Sequence, residues 1–131
     1  MGEPAKAAQR ILIVDDEEDV RLFLADFLGE RDFAVETAKN GLEGLEKVKS
    51  WKPDTVLLDI MMPGMDGMDC LEAIKKWDSK ISVIMITAMK DDDRIARAAE
   101  LGAFEYILKP FSLSYLESQI ERLLGKEPPG G

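Results

Sequence analysis

The chain has 131 residues, 46% hydrophobic and 33% charged, which is the balance of one folded domain large enough to bury a core without a disulfide or metal staple. It has no histidine and one cysteine, Cys70, which excludes a Ser-His-Asp triad, a histidine-ligated metal, a phosphohistidine carrier, an internal disulfide and a cysteine zinc cluster. A net charge of −9 repels phosphate backbones and anionic membranes, so direct nucleic-acid binding is not expected, and no apolar stretch approaches a membrane span.

Met1–Arg10 has no apolar signal core, and Lys6 stands where a myristoylation signal needs Ser or Thr, so residues 1–9 read as an extension and cytoplasm is the expected location. Ile11–Val14 is an all-apolar run that stops at Asp15-Asp16, the pattern of a strand buried on both faces. Val20, Phe23, Leu24, Phe27 and Leu28 then predict one face of a helix ending near Gly29. Phe33–Thr37 predicts a weaker strand, Asn40-Gly41 a turn, and Leu42, Leu45 and Val48 a second helix. Thr55–Asp59 is a third strand, again closed by a carboxylate. Ile60–Gly67 predicts a loop, and Leu71, Ile74 and Trp77 a third helix with Cys70 as a small core residue. The methionines around that loop (Met61, Met62, Met65 and Met68) read either as gap fillers or as a soft contact surface.

Ser82–Ile86 is a fourth strand ending at Thr87, and Asp91–Asp93 suits the positive end of a fourth helix through Ile95, Ala98, Ala99 and Leu101. Phe104–Leu108 is a fifth strand ending at Lys109-Pro110. Ser114 and Glu117 read as a capping box for a last helix through Leu116, Ile120, Leu123 and Leu124. Residues 126–131 read as a flexible tail or a severed linker. Strands alternating with helices predict a doubly wound parallel sheet, order 2-1-3-4-5, with helices on both faces.

In such a sheet all the strand ends lie along one edge, which collects Asp15, Asp16, Asp59, Thr87 and Lys109. The strand order reverses between the first and third strands, the place where these sheets bind ligands. Two carboxylates about 5 Å apart repel by about 3 kcal/mol at an effective dielectric near 20, so three in one crevice do not serve stability. A hard divalent cation such as Mg²⁺ relieves the conflict, and Lys109 adds a positive rim for an arriving anion. A phosphoryl group fits both, with a carboxylate as the attacking group.

These motifs, from Ile11–Asp16 with Glu17, through Leu57-Leu58-Asp59 and Met62-Pro63-Gly64-Met65-Asp66-Gly67, to Ile86-Thr87-Ala88 and Gly102-Ala103…Tyr106…Lys109-Pro110-Phe111, resemble the receiver domain of two-component response regulators over about residues 10–125. The resemblance implies a flavodoxin-like fold with Asp59 as phosphoacceptor. It implies Mg²⁺ held by Asp15, Asp16, Asp59 and the backbone carbonyl of Met61, with Thr87 and Lys109 on the phosphoryl oxygens. It implies Tyr106 as an aromatic switch, a cis Lys109-Pro110 bond, and Met61 and Met89 as brakes on loss of the phosphoryl group, hence a lifetime of minutes or longer. The implied partners are a sensor histidine kinase or phosphotransfer protein, and a downstream protein or lost output domain. The readout face would be the fourth helix, fifth strand and fifth helix, and phosphorylation-dependent homodimerisation is a further expectation.

Other readings remain open on the residues alone. An aspartate-nucleophile phosphohydrolase usually carries a second Asp two positions after the first, where this chain has Met61. A receiver-like interaction module that is never phosphorylated has no need of the intact Asp15, Asp16, Asp59, Thr87 and Lys109. A flavin-binding protein of this topology needs a phosphate-cradling loop after the first strand, and here Asp15-Asp16 follow it instead.

Overall fold

The computed structural model describes residues 9–62, 64–88 and 90–123. The expectations for residues 1–8, Pro63, Met89 and the chain from Leu124 onward lie outside the described residues. Five strands, β1 (Arg10–Val14), β2 (Ala34–Ala38), β3 (Thr55–Asp59), β4 (Ser82–Thr87) and β5 (Glu105–Leu108), alternate with α1 (Glu18–Gly29), α2 (Gly41–Trp51), α3 (Gly67–Trp77), α4 (Asp92–Glu100) and α5 (Leu113–Leu123). Every pairing is parallel and the order is β2-β1-β3-β4-β5, as the alternation of elements predicts.

The period-two alternation of the strands divides the core into two layers. Leu12, Val14, Val56, Leu58, Val83 and Met85 face α2 and α3, where Val48, Cys70, Leu71 and Ile74 are fully buried. Ile11, Ile13, Leu57, Ile84, Ile86 and Ile107 face α1 and α5, against Leu24, Leu28, Leu116 and Ile120. Burial of each such side chain stabilises the fold by about 1.5–3 kcal/mol, which pins the register. That register pairs Val14 with Leu58, Asp59 with Ile86, and Thr87 with Leu108. The polar residues that end these strands are therefore side by side.

The helices depart from the predicted pattern in detail. In α1 only Leu24 and Leu28 are buried, and Phe23, with its neighbour Leu22, is more than half exposed (58% and 56%). Leu42 on α2 is also exposed, and Trp77 closes α3 in the open under Lys49, whose Nζ lies 5.0 Å from the ring centroid. The cap of α5 is Ser112, not Ser114: Ser112 Oγ accepts the Tyr115 N–H at 3.1 Å. Ser114 lies inside the helix, and Glu117 instead pairs with Arg31 of α1 at 2.6 Å. Asp91 starts α4 as expected, its carboxylate accepting the Asp93 and Arg94 N–H groups. Met62 is buried and Met65 and Met68 pack on the core, so these three are gap fillers, while Met61 is exposed. The Lys109-Pro110 peptide bond is cis.

Candidate functional site

Two apolar strands, β1 and β3, deliver their terminal carboxylates into the crevice between them. Asp15 and Asp59 are 3% and 4% exposed, whereas Asp16 is exposed at its rim. Local backbone fixes each buried acid. Asp15 Oδ1 accepts the Glu17 N–H at 2.9 Å, and Asp59 Oδ1 accepts the Met61 N–H at 3.0 Å. Arg21 donates to the Asp15 carbonyl oxygen at 2.6 Å, tying the start of α1 to the strand end.

Across the crevice, Lys109 reaches in from the end of β5. Its Nζ lies 3.1 Å from Asp15 Oδ2, 3.4 Å from Asp59 Oδ2 and 3.6 Å from Glu17 Oε1. The Lys109 N–H donates to the Thr87 carbonyl oxygen at 2.8 Å, which couples the ends of β4 and β5. Thr87 is fully buried at the tip of β4, one residue past the partner of Asp59. All five predicted strand-end residues thus line one edge, and Lys109 contacts both Asp15 and Asp59. Tyr106 is half-buried on β5, packed on the core layer beside α4, and not in the crevice.

The electrostatics show where the strain lies. Burial pushes the Asp59 carboxyl above its ordinary value. The Met61 N–H opposes the rise, Asp15 adds to it, and Lys109 opposes it. Burial pulls Lys109 down, but its hydrogen bond to Asp15 and the charges of Asp15 and Asp59 outweigh that, so the net shift is upward. The lysine stays cationic and is shared between two buried acids. Buried, charge-perturbed groups in a crevice are concentrated at functional sites.

Asp15, Asp16, Glu17 and Asp59 each offer one oxygen within 4.8 Å of the others. Two ligands of one octahedral Mg²⁺ are about 3–4 Å apart, because the ion holds oxygens at about 2.1 Å. The all-oxygen donor set therefore fits a small, hard divalent cation whose remaining positions are water or phosphate oxygens. Glu17 is one motif residue to which the sequence assigned no role. Its signal was a glutamate at a helix N-cap, where Ser, Thr, Asp or Asn is usual. Gly67 is the other. A Cβ there would lie 2.4 Å from the Asp59 carbonyl oxygen and 2.5 Å from Ile60 Cα, so only glycine lets α3 start against the end of β3.

Residues 11–121 match the family described as "Response regulator receiver domain". The chain belongs to that family. Among its relatives, the receiver is 37% identical to sporulation initiation phosphotransferase F of Bacillus subtilis over 116 residues, covering 88% of this chain and 94% of that protein. It is 39% identical to chemotaxis protein CheY of the same organism, covering 89% and 98% of the two chains. It also matches regulatory protein AtoC of Escherichia coli at 38% identity, but spans only 26% of that longer protein. Among solved structures, the CheX-CheY-BeF3-Mg complex of Borrelia burgdorferi superposes with a TM-score of 0.84 at 31% identity, covering 88% of this chain and 89% of that one. These matches agree with the sheet order and with the acidic crevice.

Proposed function

We propose that this receiver is the phosphoacceptor switch of a two-component phosphorelay, and that Asp59 is the residue that takes the phosphoryl group. The observation that carries this reading is a buried carboxylate, raised in pKa by its burial, held beside a second buried acid and one lysine at the carboxyl edge of the sheet. An Asp59 oxygen attacks phosphorus, the bond from phosphorus to the donor's histidine nitrogen breaks, and the site gains negative charge that Lys109 neutralises and the Thr87 hydroxyl stabilises by donating a hydrogen bond. Asp15, Asp16, Asp59 and the Met61 carbonyl would hold Mg²⁺, which supplies charge neutralisation at the transferring group. The magnesium and beryllofluoride named in the Borrelia CheY structure are in keeping with such chemistry.

The added charge biases a two-state equilibrium in which Tyr106 and the α4-β5-α5 face change packing. The partners are a sensor histidine kinase or phosphotransfer protein upstream, and a downstream protein or an output domain of a longer regulator, with a phosphorylation-dependent homodimer as a further partner. The receiver occupies residues 10–125, works in the cytoplasm, and promotes its own phosphorylation and dephosphorylation without turning over an outside substrate. No helix among the described residues is long and apolar enough to cross a membrane.

Incubation with Mg²⁺ and a small phosphodonor tests the reading. Intact mass should gain one alkali-labile phosphate in wild type and none in Asp59→Asn, with a sizing column reporting any dimer. Equal labelling of the two proteins would overturn the acceptor assignment. Catalytic release of phosphate from several phosphoesters would favour the phosphohydrolase instead.

A further inference from the structure

An ammonium has three N–H donors and no acceptor. Lys109 Nζ is faced by three carboxylate oxygens, those of Asp15, Asp59 and Glu17, at 3.1, 3.4 and 3.6 Å. Asp15 and Asp59 accept hydrogen bonds from it, and Glu17 stands beyond hydrogen-bond length but within ion-pair range, so a phosphoryl oxygen on Asp59 competes with Glu17 for the lysine. Removing the cation from Asp15 is costly, because it is buried and water cannot take its place, while the charge of Asp59 passes to the phosphoryl group itself. The Glu17 side chain is 63% exposed, so water replaces the lysine there at little cost.

The backbone supplies an independent sign that this side chain is committed to Lys109. Glu17 is the N-cap residue of α1, yet its side chain makes no capping hydrogen bond. The N-cap residues of α2, α3 and α4 (Asn40, Asp66 and Asp91) all accept backbone N–H groups with their side chains. Glu17 gives its own N–H to Asp15 and turns its carboxylate toward the lysine instead.

We propose that Glu17 is a positioning residue that holds Lys109 in the unphosphorylated protein and releases it to a phosphoryl oxygen on Asp59. The inference rests on the reading of Asp59 as acceptor. It gives Glu17 two opposed effects. As a fourth carboxylate of the crevice it strengthens attraction for Mg²⁺, and as the hold on Lys109 it weakens capture of the phosphoryl group. A merely structural residue would move both affinities in the same direction or neither.

The test uses the full chain as wild type, Glu17→Gln and Glu18→Gln, the last being a neighbouring acid in the first turn of α1. Mg²⁺ affinity is measured by calorimetry, and beryllofluoride affinity at saturating Mg²⁺ by fluorine NMR. For Glu17→Gln we expect Mg²⁺ binding about threefold weaker and beryllofluoride binding about threefold tighter, the size of one partly exposed charge contact. Glu18→Gln should change either by less than about 1.5-fold, since solvent screens an exposed charge beyond contact. A second variant, Glu17→Asp, keeps the charge but shortens the reach; it should tighten beryllofluoride and leave Mg²⁺ binding near wild type. Unchanged or weaker beryllofluoride binding in Glu17→Gln overturns the proposal, and so does equal tightening in Glu18→Gln. Failure of wild type to bind beryllofluoride at all would instead refute the acceptor reading.

Discussion

Gly67→Ala is the sharpest steric test of how the fold sets the site. The added Cβ would meet the Asp59 carbonyl oxygen at 2.4 Å, Ile60 Cα at 2.5 Å and the Asp59 carbonyl carbon at 3.1 Å. All three are backbone atoms, so no side chain can swing aside. Relief to ordinary contact needs a shift of about 1 Å at the start of α3 or the end of β3, and overpacking of this kind costs about 1–3 kcal/mol. The shift also strains the Gly67 N–H bond to the Ile60 carbonyl oxygen, now 3.1 Å, which adds about 1 kcal/mol. We therefore expect a loss of about 3 kcal/mol in urea denaturation. Because Asp59 is the residue being pushed, Mg²⁺ affinity and phosphorylation should fall about tenfold or more even where the protein is folded. Gly29→Ala is the control, because nothing lies within 4 Å of a Cβ at Gly29 in α1; there we expect a gain of about 0.5–1 kcal/mol. A Gly67→Ala protein within about 0.5 kcal/mol of wild type, with unaltered Mg²⁺ binding, would refute the argument.

Asp59→Asn should melt above wild type at pH 7 in metal-free buffer. Burial raises the folded carboxyl, so the ionised form costs stability at neutral pH, and that cost fades as pH falls through the folded value; the gap between variant and wild type should close on acidification in calorimetric scans. A gap that widens toward acid would contradict this sign. The Cys70 thiol, pushed up to about 12 by burial, should react with Ellman's reagent at pH 8 at least about a hundredfold more slowly in the native protein than in urea. Rapid native labelling would place Cys70 outside the core. The phosphorylated receiver should lose its phosphate over minutes or longer once the donor is removed, and a half-life of a few seconds, read by quenched-flow labelling, would contradict the role given to Met61 and Met89.

The sheet and the site were legible in the sequence for one shared reason. Ile11–Val14, Val56–Leu58 and Val83–Ile86 are apolar because both faces are covered, so a polar residue can appear only where the strand enters or leaves the core. The acids, the threonine and the lysine are those exit residues, and parallel pairing brings them to one edge. Helix exposure was less legible. Spacing puts Phe23 on the same stripe as Leu24 and Leu28, but the sheet covers a narrower arc of α1, and Phe23 falls outside it. The Ser114–Glu117 pattern fits a capping box, yet Arg31, distant in sequence, offers Glu117 a charged partner, and Ser112 caps the start of the helix two residues closer to Pro110. Glu17 was given no role because its partner, Lys109, meets it only through the fold.

Signalling by this receiver depends on one aspartyl phosphate, whose position borohydride trapping identifies. Wild-type protein is phosphorylated with Mg²⁺ and a small phosphodonor, reduced with borohydride, digested and sequenced by mass spectrometry. The account predicts homoserine at position 59 and at no other acidic residue. Homoserine at Asp15 or Asp16, or a reduced protein with Asp59 intact after stoichiometric labelling, would contradict it.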